Sequence, residues 1–447
     1  MKNRITRRRM LQSTAAIAAA APWIVPSTVF GKDAPSETIL AAGIGVGRMG
    51  KWDIENCMLQ GLERNARVVA LCDVDTLRAA KHRDKIVGMY EKQAGKKVEI
   101  ETYQDYRELL GRKDIDVVTI GTPEHAHATV GVAAAKAGKH IYIEKPVTYS
   151  VGEGRKLVQA VRDNKVILQV GSQQRSDARF RLVCQQIRDH NVLGKLSTIE
   201  VVVPSDGGRC DTKPSDPPKT LDYDMWLGPR PVVPYNEGRV HPQDGYGRPG
   251  WMQVEDYCLG MVTGWGSHMY DIAQWALGCD TDGGPVDVMA IAEFPDRGLF
   301  DVHTGYIGEA NYANGVKMIS HDGSPGVKFI GEKGWIWVDR RQIKCAPADL
   351  IEPPQGKISS SESHMVDFLD SVRAGKDPVA PVEAGHRSNT ICVLHHIAMK
   401  LGRRLQWDPQ AEKFVKRERI KRRWTVTGDD DKANALLDYE HRKPYTV

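Results

Sequence analysis

The run Gly45-Val46-Gly47-Arg48-Met49-Gly50 constrains the fold of this chain more than any other six residues. It is a G-x-G-x-x-G loop, entered from the apolar run Thr38-Ile39-Leu40-Ala41-Ala42 and left through a helix-compatible segment. Strand, glycine turn and helix in that order form the setting in which backbone N–H groups cradle a dinucleotide pyrophosphate. Gly45 and Gly47 permit the tight turn and close approach to phosphate, and Gly50 lets the helix pack on the strand. The helix N-terminus adds unpaired N–H groups for the anion. Asp73 closes the next strand, roughly twenty residues beyond the loop, the spacing of a carboxylate that accepts from adenosine ribose hydroxyls. An acid there repels a 2′-phosphate, which favours NAD over NADP. Capping the following helix is a second role that Asp73 can hold at the same time.

The alternation continues downstream. Segments 38–43, 68–73, 98–102, 117–121, 140–144 and 166–170 read as strands, separated by helical patterns at 51–65, 76–94, 126–137 and 151–164. This order predicts an α/β fold with a doubly wound parallel sheet. The rhythm changes after Gly171. Residues 196–203 alternate like a half-buried strand. Residues 204–249, rich in Pro, Gly and Asp, read as a long surface excursion of the kind that carries function. From 286 to 338, short β-runs are divided by turn signals such as Asn314-Gly315, which predicts an open, mostly antiparallel sheet. The tail from Asp408 reads as polar and irregular. The expected organisation is an export signal at 1–31, a Rossmann domain at 36–170, and an α+β domain for substrate binding and oligomerisation with its tail at 171–447.

The chain has 447 residues and a formal net charge of +5, with much of the excess near its ends. The basic stretch from Lys416 to Arg423 reads as a solvated face. No helix-turn-helix, zinc knuckle or aromatic-rich run accompanies it, so no nucleic-acid partner is expected. At the start, Thr6-Arg7-Arg8-Arg9-Met10-Leu11-Gln12 precedes the apolar run from Ser13 to Ala21, the pattern of a twin-arginine export signal. Cleavage is expected between about Ala19 and Lys32, leaving no stable membrane anchor and a periplasmic or extracytoplasmic protein. That route carries folded proteins, so a cofactor would be bound before export and then held. The eight cysteines form no C-x-x-C and no zinc spacing with histidine, so buried free thiols and no metal are expected.

Two further runs sit at strand ends. Thr122-Pro123-Glu124-His125-Ala126-His127 follows one strand, either facing the ligand crevice or simply starting a helix. Glu144-Lys145-Pro146 ends another, where a lysine is not needed for packing; it is either solvated or catalytic.

These motifs resemble the Gfo/Idh/MocA family, which includes glucose–fructose oxidoreductase and inositol dehydrogenase, over nearly everything after the signal. Glu144-Lys145-Pro146 is similar to its E-K-P signature, Pro123 with His127 to its P-x-x-x-H turn beside the nicotinamide ribose, and Gly264-Trp265-Gly266-Ser267-His268-Met269-Tyr270-Asp271 to its D-x-G-x-H-x-x-D signature. The export signal and the segment from Asp222 to Pro229 resemble an exported branch. The resemblance implies Lys145 and His268 as catalytic residues. It also implies a Rossmann domain and a second sheet that binds substrate and often forms the contact in a homo-oligomer. Gly264 departs from the pattern, because glycine has no carboxylate. Either His268 acts with Lys145 alone, or Asp271, Asp256 or Glu255 substitutes, or activity is lost. Gln173 is assigned to the nicotinamide side and Arg175 to substrate, both following the last Rossmann strand. Tyr257, Trp265 and Trp251 either stack on a sugar or pack in the core.

Alcohol oxidation needs a hydride acceptor and a base for the hydroxyl proton; neutral histidine suits pH 7, and lysine can polarise the developing carbonyl. The expected function is therefore exported, NAD-dependent hydride transfer to or from a sugar, sugar derivative or cyclic polyol. Two alternatives are redox-neutral glycoside cleavage through a keto sugar, and a non-catalytic carbohydrate-binding protein with a structural dinucleotide.

Overall fold

Short, mostly buried aliphatic runs dictate the first layer, with residues 101–103 an exposed edge. The computed structural model describes residues 37–447 apart from 208–209, 211–212, 241–249, 353, 355, 357–362 and 421–422. The expected export signal lies outside the described residues. β1 (Ile39–Ile44), β2 (Ala66–Cys72), β3 (Glu101–Tyr103), β4 (Val117–Ile120), β5 (His140–Ile143) and β6 (Leu168–Val170) form one sheet in the order β3-β2-β1-β4-β5-β6. Its registered pairs β1/β4, β2/β3, β4/β5 and β5/β6 are all parallel. Every residue of β4 is buried, as expected for a central strand covered on both faces. The strand order reverses between β1 and β4, so the crevice at their carboxyl ends is the natural ligand site of such a sheet.

The second sheet has ten strands: β7 (Leu196–Val203), β8 (Asp287–Glu293), β9 (Gly305–Asn311), β10 (Lys317–Asp322), β11 (Gly326–Gly331), β12 (Gly334–Val338), β13 (Ile343–Ala346), β14 (Leu405–Asp408), β15 (Lys413–Ile420) and β16 (Arg423–Asp429). Only the β7/β10 pair is parallel among the registered pairs, so the sheet is mostly antiparallel as the sequence predicts. Helices Ala178–Arg188, Gly266–Leu277 and Val382–Leu401 supply Phe180, Met269, Tyr270 and Leu394 to the core that covers one face of this sheet. Residues Leu40–Val447 form one compact unit. No described helix is long and apolar enough to cross a membrane. All eight cysteines are free thiols.

The tail is not irregular. β15 and β16 close the sheet as a hairpin, and residues 416–420 of the basic stretch lie in β15. Its strand signal is weak because, among the described side chains of β15, the adjacent pair Phe414 and Val415 is buried while charged residues follow, so no apolar alternation shows. Among its described residues the excursion after β7 is mostly loop, with a helix at Tyr223–Leu227 capped by Asp222, whose carboxylate accepts from Met225 N at 2.9 Å. It is tied to the first sheet where Asp222 N donates to Val74 O (2.8 Å) and Thr76 N to Thr220 O (3.0 Å).

Arg175 and Asp271, expected at the substrate, are locked to each other in the interior. Arg175 Nε and Nη2 donate to Asp271 Oδ2 and Oδ1 at 2.8 and 2.7 Å, and Nη2 also lies 2.9 Å from Asp280. The guanidinium stacks 5.1 Å from Trp275, and Ser388 Oγ donates to Asp271 Oδ1. The turn after β6 points Arg175 at the helix Gly266–Leu277, where a fixed cation satisfies two acids; Arg175 and Asp271 are only 2 % and 1 % exposed. Removing one partner of such a pair leaves an uncompensated buried charge. Arg175→Leu is therefore expected to cost about 3–5 kcal/mol, seen as a lower urea midpoint with unchanged slope.

Candidate active site

The glycine loop is built by close approach. Gly45 sits at φ +74°, in the left-handed region. A Cβ on Gly50 would lie 1.8 Å from Gly45 O, and one on Gly121, at the end of β4, would lie 2.3 Å from Gly50 Cα. The helix Arg48–Gly61 is thus set directly on the ends of β1 and β4. Its N-cap, Gly47, makes no side-chain cap, so no side chain competes for the first N–H groups. Gly121 was not singled out in the sequence, although a glycine ending an apolar strand is the signal for such an approach.

A crevice opens at these strand ends, with about 1470 Å³ of space between atoms, part of it continuous with solvent. Gly45, Gly47, Arg48 and Met49 line one end with Asp73. Asp73 Oδ2 accepts from Val46 N and Oδ1 from Asp75 N, both at 3.0 Å, so the carboxylate holds the loop while each oxygen keeps a second lone pair. Burial pushes its pKa up, opposed by Arg78, which lines the same wall. Val46 is fully buried behind the loop.

Thr122, Pro123, His127, Glu144 and Lys145 line the other end. The His127 ring spans the two motifs: Nδ1 is 2.8 Å from Pro146 O and Nε2 2.9 Å from Thr122 O. Burial drops its pKa to about 4, so at neutral pH the ring is uncharged and its single N–H donates to one of these two carbonyls at a time. Gln173 stands behind, donating to Glu144 Oε1 at 2.8 Å and Tyr142 Oη at 3.2 Å. The other Glu144 oxygen and the Thr122 hydroxyl are buried with no hydrogen-bond partner among the described residues. Glu144 and Asp53 are both pushed upward by burial, with Glu144's charge a further cause at Asp53 and Lys145 pulling both back.

Lys145 Nζ donates to Gly264 O at 2.8 Å, across 119 residues of sequence. The E-K-P turn therefore meets the start of the second signature. His268 lies one turn further along, buried, its ring 6.0 Å from that of Trp265 in an edge contact. His268 is not among the side chains that line the crevice, and neither is Trp265, which carries Arg340 4.5 Å over its ring. Tyr257 is wholly buried, packed 4.8 Å from His125 and 4.9 Å from Trp226, so it is core rather than a sugar platform. Trp251 does line the crevice.

Three further residues, to which the sequence motifs assign no role of their own, line the crevice. Glu124 lies inside the turn that carries His127. Trp226 comes from the excursion, and Tyr445 from the tail, where its hydroxyl donates to Asp224 at 2.9 Å. Among the described residues no group of three or more His, Cys, Asp or Glu side chains could hold a metal ion.

The arrangement fits a dinucleotide. The helix N-terminus behind the glycine loop carries no side-chain cap, an acid with free lone pairs stands at one end of the crevice, and two orphaned polar atoms stand at the other. The loop and helix N–H groups would hold the pyrophosphate, Asp73 the adenosine ribose, and Thr122, His127, Glu144 and Lys145 the nicotinamide end. Gly50→Ala is expected to force the helix off β4, at a cost of about 1–3 kcal/mol, and to weaken NAD binding in a fluorescence titration.

Residues 39–172 match the profile described as oxidoreductase family, NAD-binding Rossmann fold, and residues 205–447 the profile described as oxidoreductase family, C-terminal alpha/beta domain. No curated protein matches the chain significantly. Solved structures share the fold at 17% identity. A WlbA dehydrogenase from Bordetella pertussis, in complex with NADH and UDP-GlcNAcA, gives a TM-score of 0.58 over 83% of this chain and 99% of its own. An aldose-aldose oxidoreductase from Caulobacter crescentus, complexed with glycerol, gives 0.59, and a levoglucosan dehydrogenase in complex with NADH and levoglucosan gives 0.60, each with the same 83% and 99% coverage and 17% identity.

Proposed function

The chain belongs to the Gfo/Idh/MocA family of oxidoreductases, and from that premise we propose that it is an exported, NAD-dependent enzyme that oxidises or reduces a CH–OH group of a sugar, sugar derivative or cyclic polyol. One observation carries the reading. Lys145 lines the same crevice as the glycine loop and Asp73 while its ammonium is bound to the carbonyl of Gly264, where the second signature begins. A bound nicotinamide supplies the hydride acceptor. Lys145 holds the substrate hydroxyl and stabilises charge on its oxygen as the carbonyl forms. His268, one turn beyond Gly264, is buried beside Trp265 off the crevice wall and is given no proton-transfer role. Trp251 and Trp226 offer flat apolar surfaces to a sugar at the crevice wall. That the named structural neighbours act on or bind carbohydrates supports the substrate class.

Export rests on the twin arginines and the short apolar run that follows them. Outside the cytoplasm the dinucleotide would be retained between turnovers, which favours exchange between two carbohydrates. The outer face of the ten-stranded sheet exposes Ile291 (56 %) and Ile307 (59 %), directly paired across β8 and β9, and assembly of a homo-oligomer through this face belongs to the proposal.

Lys145→Ala is expected to retain NAD but to abolish its reduction by a panel of aldoses, anhydrosugars and polyols, read as near-ultraviolet absorbance of the reduced nicotinamide. Should no sugar change that absorbance in the unaltered protein, a carbohydrate-binding role replaces catalysis.

A further inference from the structure

Gly264 leaves the second signature without its acid, yet the oxidation proposed above releases a hydroxyl proton that some group must take. The position itself is apolar: a Cβ at 264 would meet Met252 Cε at 3.4 Å and Met261 Sδ at 3.7 Å. The nearby acids of the sequence are engaged elsewhere. Asp271 is held by Arg175, Asp256 pairs with Arg230 at 2.6 Å, and Glu255 pairs with Lys400 at 2.9 Å.

Glu124 is placed differently. It lines the crevice with Lys145 and is 2 % exposed. Its carboxyl is faced by the Thr263 hydroxyl, the Cys258 thiol and the Lys145 ammonium, with Asp206 as the further acid that acts on it. Cys392 is a buried thiol that feels its charge. Thr263 Oγ1 lies 3.0 Å from Glu124 Oε2 and also 3.0 Å from Gly260 O, yet it carries one proton. When Glu124 is ionised, the hydroxyl donates to the carboxylate. When Glu124 is protonated, the acid donates to Thr263 Oγ1 and the hydroxyl turns to Gly260 O. Both protonation states are therefore satisfied, so the buried group can take and release a proton without leaving a polar atom unpaired.

We propose that Glu124 takes the place of the missing aspartate and is the proton acceptor of the active site, an assignment that rests on the oxidoreductase reading. As the carbonyl forms, the substrate C–H bond breaks and its hydride leaves, with both electrons, for the oxidised nicotinamide. The O–H bond breaks and its proton ends on the Glu124 carboxylate, so one hydride and one proton account for the two hydrogens lost. Burial pushes the Glu124 pKa up to about 7, while Lys145, Cys258 and Thr263 pull it back, so the group sits between its two states at neutral pH. The acceptor form is the carboxylate, so oxidation should rise with pH through that midpoint.

The test compares the full chain, with NAD⁺ added, with its Glu124→Gln and Thr263→Val variants. Infrared titration of the unaltered protein should show the carbonyl band of a buried carboxylic acid fading with a midpoint near 7. Glu124→Gln should lack that component and keep its NAD⁺ affinity. With an active sugar from the panel, its rate should fall about 10²–10⁴-fold and lose the rise through neutrality. Thr263→Val should keep the band and move its midpoint upward, because the ionised form loses a donor. This variant decides the matter if the glutamine variant does not fold. A Glu124→Gln protein with unaltered rate and pH profile, or a titrating band that survives it unchanged, overturns the assignment alone. If no sugar reduces NAD⁺ even in the unaltered protein, the oxidoreductase reading fails and the assignment falls with it.

Discussion

The contact on which the site depends is the seating of one helix on two strand ends. Gly50 of that helix meets Gly45 and Gly121 at distances no other residue type tolerates. The seating turns the first N–H groups of the helix toward the crevice, with Asp73 pinning the loop from the neighbouring strand through Val46 N. If any of the three glycines had a side chain, helix and sheet would separate, and the anion cradle with them.

Beyond the cradle, the interior is organised by charges that are taken out of water only in company. Lys145 lies among Asp53, Glu124 and Glu144, whose carboxyls are all pushed upward by burial and pulled back by its ammonium. The more distant set around Arg175, Asp271 and Asp280 is saturated by mutual pairing and by Ser388. The two clusters differ in one respect. The second leaves little bonding capacity unused, as a structural lock should, whereas the first keeps an orphaned Glu144 oxygen and a Glu124 carboxyl with alternative hydrogen-bonding states at an open crevice. Spare bonding capacity next to solvent marks the cluster suited to chemistry.

Legibility followed the range of the forces involved. The parallel sheet can be read because its central strands β1, β4 and β5 are largely buried on both faces and show as apolar runs. The β15–β16 hairpin is hard to read because the buried pair Phe414 and Val415 is followed by a run of charges with no apolar alternation. Arg175 was misassigned for a related reason: its place after β6 is legible, but the direction of its side chain is set by Asp271, 96 residues away. Tyr257 and His268 likewise had residue types suited to a site, and packing put the first in the core and the second beside Trp265 rather than on the crevice wall.

Local chemistry in the chain determined the glycine turn, the acid that follows it, the lysine that ends β5 and the two kinds of sheet. These depend on neighbours a few residues apart, through backbone freedom, capping and apolar periodicity. Only the tertiary structure decided which acid keeps company with Lys145. Pairing between distant side chains, and the loss of water around them, is settled when the layers close, and that closure committed Asp271 to an arginine and left Glu124 beside Thr263 at the crevice.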